Sequence, residues 1–581
     1  MNGQTSTLLC DVDLSAAPFS LDAGAAAWVE STLAAMSTEE KIGQVFCLLG
    51  LSPDLDAVDS ALSVIQPGAY MLRPAPGATV QRVHRHLQES SEIPMLLAAN
   101  LERGGNGIAL EGTEFGSPLQ VAATDDEEHA YRLGVVCGRE GAAVGCNWNF
   151  SPIVDIDFNF HNPITNIRTF GSDPERVRRM ASAYVRGQHD TGIAVTVKHW
   201  PGDGVDGRDQ HLVTAVNSLS VEEWDATFGE IYRTMFAEGA EAVMAAHIMQ
   251  PAYSKALLPG VPDSEILPAS LAHELTTVLL RERLGFNGLV ITDATTMVGF
   301  MGIMPRALAI PTSIAAGCDQ LCFSIDLEQD VQFVREGLET GLLTMARLDQ
   351  AVVRVLALKA SLGLHERKRE GSLVPDERAL EVLGCAEHRE WAQACADRSV
   401  TLVKDTQDLL PLDPVRHRRV LLHVLGDVGG YQDDDALPTS TMFAEMLEER
   451  GFEVTRFAVP EDADAGWVIA LQPVSKVIDE YDLILYYASI KTLSNQTVVR
   501  ITWGQPMGVD APKHIKEVPT LFVSVDNPYH LQDVPRVPTF VNGYTGTPFV
   551  VEAVIEKLLG KSPFHGVSPV DPFCGLWDTH L

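Results

Sequence analysis

Hydrophobic residues in the first 325 or so positions of the chain are grouped in short runs that alternate with longer segments of mixed polarity. In order, the runs are KIGQVFCLLG, PGAYMLR, IPMLLAAN, GCNWNFSPIVDI, GIAVTVKHW, AEAVMAAHI, GLVITDA and CDQLCFS. Segments between them, such as 124–145 and 271–286, have apolar residues at helical spacing and charged faces. Eight short runs alternating with helices predict a parallel (β/α)8 barrel of the TIM type, with an open doubly wound sheet as the alternative.

The placement of polar residues favours the barrel. Several lie at or just after the C-terminal end of a predicted strand: Asn100, Glu102, Asp155, Lys198, His199, His247 and Asp293. In a barrel this face carries the active site, which is built from side chains of several strands. Open α/β sheets also bind ligands at strand C-termini, so the pattern favours the barrel without excluding the sheet. Asp155 lies just inside its strand end, and we interpret it as structural.

A second domain is predicted after residue 363. The sequence HERKREGSLVP is polar and breaks the periodicity, as a linker does. The strand candidates that follow are RVLLHVL, DLILYYAS, PTLFVSVDNPY and VPTFVNGY, and the helix candidates include STMFAEMLEERG and PFVVEAVIEKLLG. We therefore expect a barrel over 1–363, a linker with a connecting helix over 364–396, and a smaller α/β (αβα) sandwich of four or five strands over 397–581.

The composition narrows the function classes. A hydrophobic content of 46% is too high for a disordered chain. The 43 Lys and Arg residues against 78 Asp and Glu residues give a net charge of −35, so we expect neither nucleic-acid binding nor membrane-surface binding. We expect neither a secretion signal nor a membrane span, because the first residues lack a basic region with a long apolar core and no apolar run reaches about 18 residues. Nine scattered cysteines, an odd number, indicate a reducing cytoplasm.

The segment VKHWPGDGVDGRDQH follows a predicted strand and contains the spacing G-x-G-x-x-G at Gly202, Gly204 and Gly207. This spacing is found in dinucleotide-binding turns, where the glycines open a helix and an acidic residue follows a second strand about 20 residues later. Neither feature follows here, because the next residues are polar and aperiodic. We interpret the three glycines as hinges of a loop.

Asp209 and His211 lie two positions apart in that loop. An aspartate can orient an imidazole that acts as a general acid and base, whereas a solvent-exposed loop pair is the alternative. A metal site is not predicted, because His199, His211 and Asp203 match no standard ligand spacing.

Asp293 ends the predicted strand GLVITD. A carboxylate at the rim of a barrel can act as a nucleophile. Aspartate is also one of the preferred residues at a helix N-cap. The position by itself leaves both interpretations open.

Taken together, these segments resemble glycoside hydrolase family 3, in its β-N-acetylglucosaminidase branch. The resemblance lies in KHWPGDGVDGRDQH, NPITNIRTFGSDPERV, MAAHI, PASL, GLVITDATTM, AAGCDQL and, at the start of the second domain, SVTLVKDTQDLLPL. Each motif is moderately specific, and their combination in this order is highly specific. The resemblance covers nearly the whole chain and implies a barrel followed by an α/β sandwich.

The resemblance also implies a retaining mechanism and assigns roles. Asp293 would be the nucleophile, and His211 would be the acid/base, held by Asp209. The positions implied for substrate binding are Lys198, His199, Arg168, Asn100, Glu102 and His247. The expected activity is that of an exo-β-N-acetylhexosaminidase, most simply a β-N-acetylglucosaminidase, which acts on a carbohydrate and uses no cofactor or metal.

Two alternatives stay open at this point. An imidazole in place of a second carboxylate avoids a second anion beside an incoming phosphate, and some family members resemble phosphorylases for that reason, so phosphorolysis on the same scaffold is one alternative. The other alternative is a relative that binds sugar without catalysis. The presence of all the motif residues argues against it, namely Asp293, Asp209, His211, Lys198, His199 and Arg168. The sequence makes no prediction of the oligomeric state.

One departure from the family pattern concerns sugar preference. The family has an aspartate two residues before the glutamate of its E-G-G segment, whereas this chain has Asn100 before Glu102 and carries Arg103 after it. Asparagine loses the charged acceptor and gains a donor. N-acetylgalactosamine, a modified glucosamine or a glucoside could therefore be the preferred sugar. In the second domain, Asp526 and Asn527 end a predicted strand and are interpreted as a turn.

Overall fold

The computed structural model describes residues 8–427, 438–497 and 499–581. These residues form two compact units. Unit 1 comprises the described residues up to 114, together with 130–162 and 174–388. Unit 2 comprises 115–129, 163–173 and the described residues from 389 onwards. The boundaries expected from the sequence, at residues 363 and 396, stay a prediction.

Unit 1 is built around a closed barrel of eight parallel strands, in the order β3, β4, β5, β6, β7, β9, β11, β12 and back to β3. The strands of this unit are β1 (Leu8–Leu9), β2 (Val12–Asp13), β3 (Phe46–Gly50), β4 (Ala69–Leu72), β5 (Leu96–Ala99), β6 (Trp148–Asn149), β7 (Ala194–Trp200), β8 (Ala215–Val216), β9 (Ala242–Ala245), β10 (Ile248–Met249), β11 (Leu289–Ala294) and β12 (Gln320–Cys322). Each of the eight hydrophobic runs supplies one barrel strand. The predicted TIM-type barrel is confirmed.

The barrel strands read as continuous apolar runs because both of their faces are covered. All seven residues of β7 and all four residues of β4 are buried. The short pair formed by β8 and β10 lies outside the barrel, with Ile248 opposite Ala215. In the segment 201–214 the chain forms turns and bends rather than a helix, which agrees with the interpretation of its glycines as parts of a loop.

The helices follow the strands in the expected alternation. The α-helices are α1 (Ala23–Ala35), α2 (Thr38–Gln44), α3 (Leu55–Val64), α4 (Gly77–Glu89), α5 (Pro118–Ala123), α6 (Glu127–Ala143), α7 (Pro174–His189), α8 (Val221–Trp224), α9 (Glu230–Ala237), α10 (Pro251–Leu257), α11 (Val298–Met301), α12 (Arg306–Ala316), α13 (Leu327–Thr340), α14 (Met345–Ser361), α15 (Leu364–Glu370), α16 (Ala386–Ser399), α17 (Thr439–Glu449), α18 (Ala463–Ala470), α19 (Val474–Glu480) and α20 (Pro548–Leu558). The predicted helix over 271–286 is a π-helix, Glu274–Arg283. The expected linker contains α15 and most of α16.

Unit 2 contains a six-stranded mixed sheet in the order β13, β18, β17, β16, β14, β15. Its strands are β13 (Thr401–Asp405), β14 (Arg419–Gly426), β15 (Glu453–Arg456), β16 (Leu483–Ser489), β17 (Thr520–Val525) and β18 (Thr539–Asn542). Only β13 is antiparallel to its neighbour. The predicted smaller α/β domain is confirmed, with two edge strands more than the four candidates; β15 is short and polar and therefore carries no hydrophobic signal.

Asp526 and Asn527 lie directly after β17 in this unit. Asp526 has a φ of 64°, and its carboxylate accepts hydrogen bonds from the Ser489 hydroxyl and the Gly546 N–H, both at 2.8 Å. Asn527 accepts the N–H of Tyr529 at 3.0 Å. The positive φ of Asp526 and the local bond of Asn527 are those of a turn, whereas the Asp526 carboxylate joins residues 37 and 20 positions away. In the described part of the chain, no helix is long and apolar enough to cross a membrane.

Candidate active site

The C-terminal ends of the unit 1 strands bring the predicted site residues together, with Arg168 as the exception. Asn100 directly follows β5, and Lys198 and His199 lie among the last three residues of strand β7. His247 follows β9, and Asp293 lies next to the end of β11. Parallel strands of a closed barrel end at the same rim, so residues far apart in sequence meet there.

Asp293 is a buried carboxylate with one oxygen available. Its Oδ1 accepts the N–H of Ala294 at 2.7 Å, while its buried Oδ2 has no hydrogen-bond partner among the described residues. Burial by itself would raise the pKa of Asp293. Positive charge on the neighbouring imidazoles, that of His199 above all, and the hydrogen bond from the Ala294 N–H outweigh that effect and hold the pKa below its usual value. The side chain is thus an ionised, unpaired carboxylate at neutral pH.

Asp209 and His211 form a hydrogen-bonded pair in the loop after β7. The His211 Nδ1–H donates to Asp209 Oδ1 at 2.7 Å, and the His211 backbone N–H donates to the same oxygen at 2.8 Å. Asp209 is fully buried, whereas 25% of the His211 side chain is exposed. Because Nδ1 carries a proton in this arrangement, Nε2 is the nitrogen that can give or take one.

Lys198 is the buried cation of the site. Its Nζ donates to Glu102 Oε1 at 2.8 Å and to Asn100 Oδ1 at 3.3 Å. The lysine is 3% exposed and the Glu102 side chain 13%. Arg103 forms a separate pair with Glu114, at 2.8 Å, and this directs its guanidinium to another carboxylate. The run after β5 therefore supplies two oxygen acceptors that hold one ammonium group.

His199 is held by Asp155, which approaches it from the segment after β6. Asp155 Oδ2 accepts from His199 Nδ1 at 2.6 Å, and Oδ1 accepts the backbone N–H groups of His199 and Asp203 at 3.0 and 2.8 Å. This contact fixes the tautomer and orientation of the ring. Burial and the charge of Asp155 raise the pKa of Asp203 well above its usual value. Asp155 is thus a structural residue, as expected, and the side chain that it orients is His199.

His247 is bonded to protein atoms at both ring nitrogens. Its Nε2 lies 3.0 Å from the carbonyl oxygen of Ala294 and its Nδ1 lies 2.9 Å from Ser270 Oγ. A carbonyl only accepts, so Nε2 carries the proton and Nδ1 accepts from the serine. Burial lowers the pKa of His247, which keeps the ring neutral. In this arrangement the imidazole holds the backbone beside Asp293.

Arg168 belongs to the other unit. It ends a 3₁₀ turn, Asn166–Arg168, within the segment 163–173 of unit 2, and it is partly buried. Its predicted contact with the sugar stays a prediction.

Sequence reasoning missed three polar residues that support this site. The sequence pattern gave Asp203 no role beyond a rejected metal ligand, and it gave Ser270 and Gln210 no role of their own. In the structure Gln210 Oε1 accepts the His247 backbone N–H at 3.0 Å. Their partners lie 23 to 48 positions away, and no spacing rule connects them. Among the residues that the structure describes, no group of His, Cys, Asp and Glu is arranged to hold a metal ion.

The control of Asp293 by its neighbours gives a pH prediction. We expect His199→Gln to move the acidic limb of the kcat/KM profile to higher pH, because His199 is the strongest of the groups that lower the pKa of Asp293. The prediction takes Asp293 as the nucleophile, in which case activity requires the ionised carboxylate and falls as the pH drops through that pKa. The profile is measured with a dinitrophenyl β-glycoside. The control is His86→Gln, which changes a half-buried histidine that is paired with Asp59. An unmoved limb in His199→Gln would contradict this electrostatic role.

Residues 39–358 match the family described as the glycosyl hydrolase family 3 N terminal domain. A Cellulomonas fimi protein named beta-N-acetylglucosaminidase/beta-glucosidase is 47% identical over 571 residues, which are 98% of this chain and 100% of that protein. The chain belongs to glycosyl hydrolase family 3. The match covers more than half of the sequence and includes every barrel strand, so the predicted resemblance is confirmed.

Solved structures agree with the assignment of this family 3 enzyme. A beta-glucoside phosphorylase, BglX, superposes with a TM-score of 0.91 and 46% identity, covering 97% of this chain and 99% of that one. A family 3 beta-N-acetylglucosaminidase from Paenibacillus sp. str. FPU-7 superposes with a TM-score of 0.79 and 25% identity, covering 93% and 100%. The protein is an enzyme of the glycoside hydrolase class, and the alternative of a non-catalytic sugar-binding relative is set aside.

Proposed function

We propose that this enzyme removes terminal β-linked N-acetylglucosamine or glucose residues, as an exo-acting β-N-acetylhexosaminidase with β-glucosidase activity and a retaining mechanism. The observation that carries the proposal is the Asp293 carboxylate, which is buried, has an unpaired Oδ2 and lies within electrostatic reach of His211. The Cellulomonas fimi relative is named for activity on both N-acetylglucosamine and glucose, which supports the choice of these two sugars.

In the first step, Asp293 Oδ2 attacks the anomeric carbon and the glycosidic C–O bond breaks. His211 gives a proton from Nε2 to the departing oxygen, and Asp209 keeps Nδ1–H in place. The product is a covalent α-glycosyl ester on Asp293. This replaces the second carboxylate of the usual two-carboxylate scheme with an imidazole.

In the second step, His211 Nε2 takes a proton from the incoming acceptor, whose oxygen attacks the anomeric carbon. The ester bond to Asp293 breaks and the carboxylate is restored. Two inversions give net retention of the β configuration.

The remaining site residues hold the sugar and the nucleophile. Lys198 and His199 would donate to sugar hydroxyls, because charge-assisted hydrogen bonds are about twice as strong as neutral ones. Asn100 and Glu102 would accept from the same hydroxyls while orienting Lys198. His247, predicted to bind substrate, acts as a positioning residue through Ala294 in this proposal.

Asn100 is the residue on which sugar preference depends. We expect Asn100→Asp to change the ratio of kcat/KM for gluco and galacto N-acetyl aryl glycosides by about fivefold, since a charged acceptor contributes roughly 1 kcal/mol more than a neutral one. The two substrates are assayed in parallel. Asn106→Asp, in the same loop, adds the same charge at a residue with no bond to Lys198 and serves as the control. An unchanged ratio would remove Asn100 from the specificity argument.

Phosphate is a second candidate for the acceptor, in place of water. The observation that favours it is the structure named beta-glucoside phosphorylase, which is 46% identical over nearly the whole chain. The chemistry agrees, because an imidazole that takes a proton carries no negative charge to repel an incoming phosphate, unlike a carboxylate. Attack by phosphate on the glycosyl ester would release a β-configured sugar 1-phosphate.

The experiment measures p-nitrophenol release from the β-N-acetylglucosaminide and the β-glucoside in phosphate-free buffer and in phosphate, for the wild type and Asp293→Ala. Nuclear magnetic resonance identifies the sugar product as the free sugar or the 1-phosphate. Free sugar at an unchanged rate in both buffers supports hydrolysis. Faster turnover with sugar 1-phosphate in phosphate supports phosphorolysis. No turnover of either substrate, or full turnover by Asp293→Ala, would contradict the proposal.

A further inference from the structure

Unit 2 contains a cavity of about 290 Å³ that none of the chemistry above uses. It is bounded by strands β14, β15 and β16, by residues of α18 and α19, and by the segment 509–514. Ligand sites usually range from about 300 to 1,000 Å³. A cavity of this size has room for a single substituted ring and excludes a dinucleotide or an oligosaccharide.

An aromatic ladder forms one wall of the cavity. On one face of the sheet, neighbouring strands place four rings in register, and the ring of Phe457, just after β15, completes the row: Phe457, His423, Tyr486, Phe522 and Phe540. Successive ring centroids are 4.4, 4.6, 5.7 and 5.1 Å apart, and the last three pairs are within 11° of parallel. The first three rings of the row line the cavity.

His423 is the buried polar member of this wall. It is 5% exposed, and burial lowers its pKa to about 3, so the ring is neutral. Its Nδ1 has no hydrogen-bond partner among the described residues. A buried polar atom without a partner is destabilising. Phenylalanine occupies the corresponding positions of the ladder on β17 and β18, so packing by itself does not require an imidazole on β14.

The charges around the cavity favour an anion. Arg456, Lys476 and Lys513 line it against one carboxylate, Glu480, in a chain whose net charge is −35. Arg456 donates to Thr441, and Lys476 lies 3.9 Å from Glu480. Lys513 forms no ion pair within the described ranges of the chain. It is exposed and close enough to lower the pKa of His423 through its charge.

We propose that this cavity binds a small planar aromatic acid. The ring packs among the apolar and aromatic side chains, the carboxylate pairs with Lys513, and the imidazole of His423 supplies a hydrogen bond. The stacked rings cover one another's faces and present their edges to the cavity, and an aromatic ligand can pack its face against such edges. A carboxylate suits a lysine with no carboxylate partner of its own. The site is separate from the barrel and takes a ligand that is not a sugar.

The test is calorimetric titration of the full chain with 4-hydroxybenzoate. Binding is expected, with two comparisons that define the class. Cyclohexanecarboxylate keeps the charge and loses the flat ring, and 4-hydroxybenzamide keeps the ring and loses the charge. We expect each to bind at least about tenfold more weakly than 4-hydroxybenzoate. Equal binding of all three would contradict the proposed class.

Variants locate the binding. Lys513→Gln removes the unpaired charge and is expected to weaken binding about tenfold. The control is Lys516→Gln, which changes an exposed lysine three positions further along the chain that does not line the cavity, and it should leave binding unchanged. His423→Phe keeps the ladder and is expected to weaken binding by a similar factor. Ala511→Trp fills the cavity and abolishes binding without lowering glycosidase activity, because Ala511 has no part in the barrel site.

Several results would overturn the proposal. One is the absence of any binding of 4-hydroxybenzoate at millimolar concentration to a protein that is active on aryl glycosides. Another is binding that persists in both Ala511→Trp and Lys513→Gln. A third is a dimer in sedimentation that Ala511→Trp dissociates, since a second copy would then be the occupant of the cavity.

Discussion

Replacing Asp293 with alanine is expected to lower kcat/KM by at least about 10⁴-fold, because removal of a catalytic nucleophile has effects of that size in other enzymes. In the proposed mechanism Asp293 Oδ2 is the attacking atom, and no other carboxylate of the described residues lies in β11. The measurement uses 2,4-dinitrophenyl β-glucoside, whose leaving group departs without a proton. Any remaining rate then reports the nucleophilic step.

Sodium azide distinguishes a lost nucleophile from a damaged fold. In Asp293→Ala the space of the carboxylate is open, and azide can attack the anomeric carbon from that side. The expected product is an α-glycosyl azide, with restored release of dinitrophenol. Asp263→Ala, an exposed aspartate paired with Lys255, is the control and should keep full activity. A folded Asp293→Ala that forms no azide adduct, or that keeps wild-type activity, would contradict the assignment.

Replacing His211 with alanine is expected to have the second-largest effect, and its size should depend on the leaving group. General acid catalysis contributes about 10²–10⁴-fold. We expect a loss in that range for a disaccharide or an alkyl glycoside, and a much smaller loss in the first step for a dinitrophenyl glycoside. The measurement is a plot of log kcat/KM against the leaving-group pKa, which should become steeper in the variant. His161→Ala, an exposed histidine, is the control.

Asp209→Asn tests the other half of the pair. It keeps the size of the side chain but removes the charge that holds Nδ1–H, so the ring can adopt the other tautomer. We expect the same dependence on the leaving group as in His211→Ala, with no further loss when the two changes are combined, since the residues act as one unit. Independent and additive losses would show that Asp209 does not act through His211.

The strand ends contain a second aspartate–histidine pair, Asp155 and His199, which is buried and close enough to Asp293 to lower its pKa. The two pairs differ in exposure, because 25% of the His211 side chain is open to solvent and only 4% of that of His199. The exposed ring can exchange protons with solvent and acceptor, whereas the buried ring is suited to a fixed hydrogen bond and to lowering the pKa of Asp293. In the proposed mechanism this difference assigns proton transfer to His211 and charge stabilisation to His199.

The sequence by itself favoured the barrel, because eight continuous apolar runs alternate with helical segments and polar residues follow several of the runs. Such runs also suit an open doubly wound sheet, and the closure of the sheet was decided by the tertiary structure. Position and spacing left two interpretations open for Asp293 and for the Asp209–His211 pair, and only the resemblance to glycoside hydrolase family 3 implied their catalytic roles, which stay predictions. The edge strand β15 was not predicted, since polar residues suffice where one side of a strand is open.

The tertiary structure decided which polar atoms meet. Asp155 reaches His199 across 44 positions, and His247 reaches the Ala294 carbonyl across 47. Likewise, the His423–Tyr486 stack depends on the register of β14 against β16. Such contacts follow from the register and tilt of neighbouring strands. A hydrophobic pattern places a residue on one face or the other, but it does not determine which residue of the next strand stands opposite.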